Sequence, residues 1–168
     1  MASKTSVSSS FLIALVCIAA PGCGEPANVA GSYTVAVTNG ANGCSFDNYV
    51  EGDTAQGIPV TITQSGETAT AVVEGITALG LTLLFGSNQF EGEVSGSSLY
   101  LQVFGSNSFS EGNCTFTYNG VIDAELSGDV LTGELRYQAA TVDNPDCASI
   151  EGCVTVQRFN GTRPPTVQ

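Results

Sequence analysis

Histidine is absent from this chain, and so is tryptophan. The first absence removes the commonest general base, the Ser-His-Asp and Cys-His arrangements, and most zinc sites. Lysine and arginine together number 4 against 16 aspartates and glutamates, a formal net charge of −12 at pH 7. A surface of that sign repels nucleic acid and anionic lipid headgroups, and no basic patch exists to bind either. Charged residues make up only 12% of the chain while 42% are hydrophobic. A disordered acidic tail would show the opposite balance. The glycines have no Walker or Rossmann context and mark turns instead. With these absences, no enzyme is expected.

What is present begins with a targeting segment. Residues 1–10 hold one cation, Lys4, among Ser and Thr, and residues 11–20 are an unbroken apolar run, FLIALVCIAA. That run is too short to cross a bilayer, which needs about 20 apolar residues. It has the layout of a secretory signal over residues 1–22. The run ends in Ala19-Ala20-Pro21-Gly22-Cys23, which resembles the lipobox of bacterial lipoproteins. In that family a peptidase cuts before an acylated Cys. The resemblance implies Cys23 as the lipidation site, although Ala20 stands where the family prefers Leu. It also implies an exported protein anchored to the outer membrane, because Gly24 rather than Asp follows the Cys. The remaining chain, with three arginines and 16 acids, then meets the membrane through its anchor alone.

Cys17 leaves with the signal and Cys23 takes lipid, so Cys44, Cys114, Cys147 and Cys153 remain. An even number in an exported chain predicts two disulfides rather than a zinc site, there being no CxxC and no His. Cys147 and Cys153 close a short segment, CASIEGC, after the turn formers Asn144-Pro145-Asp146. That spacing favours 147–153, with Cys44 stapled to Cys114.

The rest of the chain reads as strands and turns. In CTFTYNGVIDAEL the residues Cys114, Phe116, Tyr118, Ile122, Ala124 and Leu126 share one parity, opposite Thr115, Thr117, Asn119, Asp123 and Glu125. Side chains alternate across a strand, so this is a long strand with one buried and one wet face. Residues 23–30 form a tether, and Gly31-Ser32-Tyr33 opens the first strand. Residues 39–56 are a long loop, and Ile58, Val60 and Ile62 alternate with polar neighbours. Residues 76–85, ITALGLTLLF, allow a short helix, but Gly80 and the threonines favour a strand. The FGSN-x-F motif occurs twice, at residues 85–90 and 104–109, and predicts two corners of related shape. Val154, Val156 and Arg158 share a face of the last strand. The domain is expected over residues 31–160, with a Pro-containing tail at 161–168.

About eight short strands joined by tight hairpins predict an all-β fold, an antiparallel up-and-down β-barrel, with a β-sandwich as the alternative. The Gly-x-aromatic opening, Gly31-Ser32-Tyr33, and an Arg on the last strand, Arg158, resemble the calycin, or lipocalin-like, pattern. There the aromatic is normally Trp and the Arg packs over it at the closed end of the barrel. The resemblance implies structural roles for Tyr33 and Arg158, although Tyr replaces Trp and the family's long C-terminal helix is missing.

Candidate chemistry is sparse. Glu91/Glu93 and Asp123/Glu125 lie on polar strand faces and read as solvated surface rather than glycosidase pairs. Asp47, Glu51 and Asp53 in the long loop are the nearest approach to a Ca²⁺ ligand set, but their spacing is not that of an EF-hand. No metal or cofactor is therefore expected. Phe46 and Tyr49 in the same loop read as a plug folding back on the barrel mouth. Leu99–Val103 and Phe104 carry apolar residues on both parities, as a barrel with an apolar interior would. The expected function is a monomeric, lipid-anchored barrel holding a small apolar or neutral ligand. The alternative is a non-catalytic envelope lipoprotein that contacts other proteins or surface polymers.

Overall fold

In the computed structural model, residues 25–142 and 144–165 are described. The expected signal segment and Cys23 lie outside them. Nine strands and one helix follow in order: β1 (Gly31–Asn42), β2 (Thr54–Ser65), β3 (Thr68–Val73), α1 (Gly75–Phe85), β4 (Gln89–Ser95), β5 (Ser98–Val103), β6 (Phe109–Glu111), β7 (Cys114–Ser127), β8 (Val130–Thr141) and β9 (Val154–Thr162). Each long strand pairs antiparallel with the next, and β9 returns to β1. The result is a closed eight-stranded up-and-down barrel with β6 as an extra strand. β7 is shared along its length, pairing with β6 from Cys114 to Phe116 and with β5 from Gly120 to Glu125. Closure leaves the eight barrel strands no free edge.

The parity read in β7 is the parity observed: Cys114, Phe116, Tyr118, Ala124 and Leu126 are buried. Inward side chains from every wall, among them Val35, Ile62, Ala71, Phe90, Leu101 and Leu131, form one core.

The two ends of the barrel differ because their connections differ. At one end β2–β3, β4–β5 and β7–β8 are joined by two-residue turns starting at Gly66, Gly96 and Gly128. Each of these glycines has φ near +60°, the backbone that type II′ hairpins require at that position. The segment before β1 folds across this end. Val29 is fully buried, its N–H donates to Gln64 Oε1 at 2.8 Å, and the Ala27 N–H donates to the Gly96 carbonyl at 2.8 Å. Residues 27–30 thus act as a seal, not only as a tether.

Arg163 locks that seal. Its guanidinium donates to the Asn28 and Ala30 carbonyls at 2.9 and 2.7 Å and to Asp129 Oδ1 at 3.1 Å, and lies 5.6 Å from the Tyr33 ring centre. The arginine over the first-strand aromatic is therefore Arg163, not Arg158. Arg158 faces solvent and pairs with Glu134 at 3.0 Å. The inner face of β9 carries the other parity, Thr155, Gln157, Phe159 and Gly161. β9 also runs to Thr162, past the expected domain boundary at Asn160.

All long connections gather at the opposite end, the mouth. Here the expected disulfide pairing is corrected: Cys44 bonds Cys153 and Cys114 bonds Cys147. The reason is strand adjacency. The end of β1 lies beside the start of β9, with Asn42 opposite Thr155, so Cys44 meets Cys153. The start of β7 lies beside the end of β8, so Cys114 meets Cys147 just beyond it. A 3-10 turn, Pro145–Cys147, N-capped by the Asn144 side chain, directs Cys147 inward. Sequence proximity of Cys147 and Cys153 counts for less than the neighbours each strand supplies.

Residues 76–85 are a second correction. They form the three-turn helix α1 rather than a strand. β3 pairs directly with β4, so the segment between them has no strand neighbour to join. Gly86, with φ of +83°, ends the helix in a left-handed cap, its N–H bonded to the Thr82 carbonyl at 2.8 Å.

Candidate ligand cavity

The barrel interior holds an apolar cavity of about 90 Å³. Tyr33, Val37, Val60, Leu99, Leu131 and Phe159 are among the side chains that line it. Thr77 and Leu81 of α1 complete the wall, so the helix is the lid. Leu81 and Phe85 are its buried residues. Phe85 stacks on Tyr137 with ring centres 5.6 Å apart and meets Phe90 edge-on at 6.0 Å. Gly120 makes room for this cluster; a Cβ there would stand 2.9 Å from Phe85, Phe90 and Val103 at once.

The lid is held shut by the second FGSN motif. Ser106 donates its N–H to the Phe85 carbonyl at 2.8 Å, and Asn107 Nδ2 donates to the Thr82 and Leu83 carbonyls at 2.9 Å each. The Leu83 and Phe85 carbonyls belong to the last turn, which a helix leaves without intrahelical donors, and Thr82 takes a second bond beside that from Gly86. The two motifs are thus not corners of related shape. The first ends α1 with Phe85 fully buried, and the second caps it with Phe104 left 70% exposed.

The expected plug is present. Phe46 meets Tyr118 edge-on at 5.0 Å and Tyr137 at 5.8 Å, and Tyr49 donates its hydroxyl to the Val156 carbonyl at 2.6 Å. Asn42 fixes the loop, its side chain accepting from the Phe46 N–H at 2.8 Å. The cystine of Cys44 and Cys153 ties the same loop to β9.

The tyrosine hydroxyls and Gln157 on the cavity wall are already engaged. Tyr33 donates its hydroxyl to the Val29 carbonyl at 2.9 Å. Tyr137 donates to Gln157 Oε1 at 2.5 Å, and Gln157 Nε2 donates to Asn39 Oδ1 at 2.7 Å. Among the described residues no buried side-chain nitrogen or oxygen lacks a partner. Burial pushes the Tyr137 phenol well above its usual range, and it raises Tyr33, where Arg163 opposes the effect, and Tyr118 as well. The interior is therefore neutral and offers mainly shape and apolar contact. An uncharged apolar group suits it, because a charge would enter without a partner.

Asp47, Glu51 and Asp53 are exposed on the β1–β2 loop, and Glu51 accepts from the Asn42 N–H at 3.1 Å. Among the described residues no three acidic or cysteine side chains are grouped as a metal would require. Asp123 pairs with Arg136 on the outer wall. The lid residues Thr77, Leu81 and Phe85 escape sequence reasoning because α1 is apolar on every side and carries no helical stripe. No family model, curated protein or solved structure matches the chain.

Proposed function

We propose that this protein holds a small, uncharged apolar molecule, or the apolar end of a larger one, inside the barrel beneath α1. The observation that carries the reading is the cavity of about 90 Å³ with an almost wholly apolar wall. An unfilled volume of that size costs about 2 kcal/mol relative to a packed core, at about 24 cal/mol per Å³. Engineered apolar cavities of about 150 Å³ take up benzene or xenon, so the closed barrel suits a short alkyl group. A longer ligand would displace α1.

The same reading makes it a lipoprotein of the outer membrane, acylated at Cys23. The AAPGC motif supports this, and the two disulfides fit an oxidising compartment outside the cytoplasm. Native mass spectrometry of the purified protein tests the ligand. The expected result is a non-covalent adduct of fixed mass, or uptake of added short-chain alkanols, that disappears in Ala71→Leu, where the larger side chain fills the cavity. Absence of both in the unaltered protein overturns the reading. Mass analysis of the N-terminal peptide, with Cys23→Ala as control, tests the anchor.

A further inference from the structure

The inner face of α1 is accounted for by the barrel, but its outer face is not. Ile76, Leu79 and Leu83 fall at i, i+3 and i+7 on one side of the helix, and Ile76 and Leu83 are 82% and 76% exposed. Phe104, 70% exposed, is carried by the loop whose Ser106 and Asn107 bond the last turn of α1. Scattered exposed leucines need no explanation, but a contiguous strip on one element marks a contact surface.

Charge decides among the surfaces that strip might meet. α1 itself carries no charged residue. Each connection at the mouth carries an exposed acid: Glu51 and Asp53, Glu74, Glu111, and Asp146 and Glu151. None of the three described arginines lies there. Arg163 is at the sealed end, Arg136 and Arg158 are on the wall, and all three are ion-paired. Two copies joined mouth to mouth would oppose like-charged rims. An anionic bilayer is repelled for the same reason, and a neutral one gains nothing from the acids. A polypeptide helix with an apolar face flanked by lysine or arginine satisfies both the strip and its rim.

We propose that the outer face of α1 with Phe104 is a docking site for a basic amphipathic segment of another polypeptide. The residues of this site are distinct from Thr77 and Leu81, which α1 turns toward the cavity.

The test is fluorescence anisotropy of the purified full-length protein with a labelled Leu/Lys amphipathic peptide of about 18 residues. Two further peptides serve as controls: a scrambled Leu/Lys peptide of the same composition and a Leu/Glu peptide of the same pattern. The amphipathic Leu/Lys peptide should bind at least about tenfold more tightly than either control. Leu79→Ser/Leu83→Ser should weaken it about tenfold, as loss of a central anchor does. Phe104→Ser provides a second variant outside the helix, and circular dichroism confirms that each variant keeps the fold. Equal binding of the scrambled peptide would reduce the effect to diffuse charge attraction and overturn the proposal. So would undiminished binding by all the variants, or preferential binding to phosphatidylcholine vesicles or to a second copy of the chain.

Discussion

Replacing Arg163 by Ala should cost far more stability than replacing Arg158 by Ala, though both arginines form an ion pair with a carboxylate. The Arg163 side chain is 6% exposed, against 72% for Arg158. Truncating Arg163 leaves the Asn28 and Ala30 carbonyls without their donor and removes the cation from the Tyr33 ring and from Asp129. Breaking a buried charged pair costs about 3–5 kcal/mol. Asp129 is itself 32% exposed, so water recovers part of its interaction, and about 3 kcal/mol is the appropriate figure. For a domain of this size each kcal/mol moves Tm by about 2–4 °C, giving a drop of roughly 6–12 °C. Arg158→Ala should stay within about 0.5 kcal/mol. Arg163→Lys should fall between the two, because an ammonium cannot span two carbonyls and a carboxylate as a guanidinium fork does. The assay is urea and thermal unfolding followed by near-ultraviolet circular dichroism. Equal losses for Arg163→Ala and Arg158→Ala would refute the assignment of the seal to Arg163.

Three further outcomes are expected. Peptide mapping without reduction should recover Cys44 with Cys153 and Cys114 with Cys147. In the chain-entropy model, removing the first bridge, which spans 109 residues, costs up to about 4.8 kcal/mol, and removing the second, which spans 33, about 3.7 kcal/mol. Gly80→Ala should stabilise the protein by about 0.5–1 kcal/mol, because Gly80 is helical and nothing lies within 4 Å of an added Cβ; a lower urea midpoint would show that the segment is not helical in solution. Alkali should destabilise the fold. Burial raises the folded Tyr137 phenol above the ordinary tyrosine value of 10.0, so the unfolded chain gives up that proton at a lower pH than the folded one. The associated stability is complete below about pH 10 and is lost as pH rises from there toward the folded value. Tyr137→Phe should show a shallower alkaline decline in urea midpoint, and an unchanged slope would assign the decline to other groups.

How much of this was legible in the chain depends on which physical signal each feature leaves. β7 was readable because one face is buried and the other wet, so Phe116, Tyr118, Ala124 and Leu126 alternate with polar residues. β9 misled for the same reason in reverse. Its inner face carries Thr155 and Gln157, whose polar groups are satisfied by Asn42, Cys44, Tyr137 and Asn39. The outward Val154, Val156 and Arg158 therefore looked like the significant face. α1 was hidden because Leu81 and Phe85 enter the barrel while Ile76, Leu79 and Leu83 face out, which erases the periodicity that distinguishes helix from strand. The disulfides could be counted but not paired, because pairing follows from β1 lying beside β9 and β7 beside β8. The apolar character of the interior could be anticipated from Leu99, Leu101 and Val103. Its volume is a property of three-dimensional packing that no spacing reports.

The seal over the barrel's base also sets a direction. The chain enters at Ala27 and Val29, at the end of the hairpin turns, and every long connection emerges at the other end. β1 and β2 have 12 residues each, which at about 3.3 Å per residue is roughly 40 Å of strand. Tilted as barrel strands are, that gives a height of about 30 Å. With acylation at Cys23, two residues before the described chain begins at Glu25, the base would rest close to the lipid and α1 would ride a barrel's height above it. The lid and its apolar strip would then sample the aqueous layer beyond the membrane, out of reach of the lipid at such an anchor. The hydrogen bonds of Ala27 to Gly96 and Gln64 keep the point of attachment at the base whatever the length of residues 24–26.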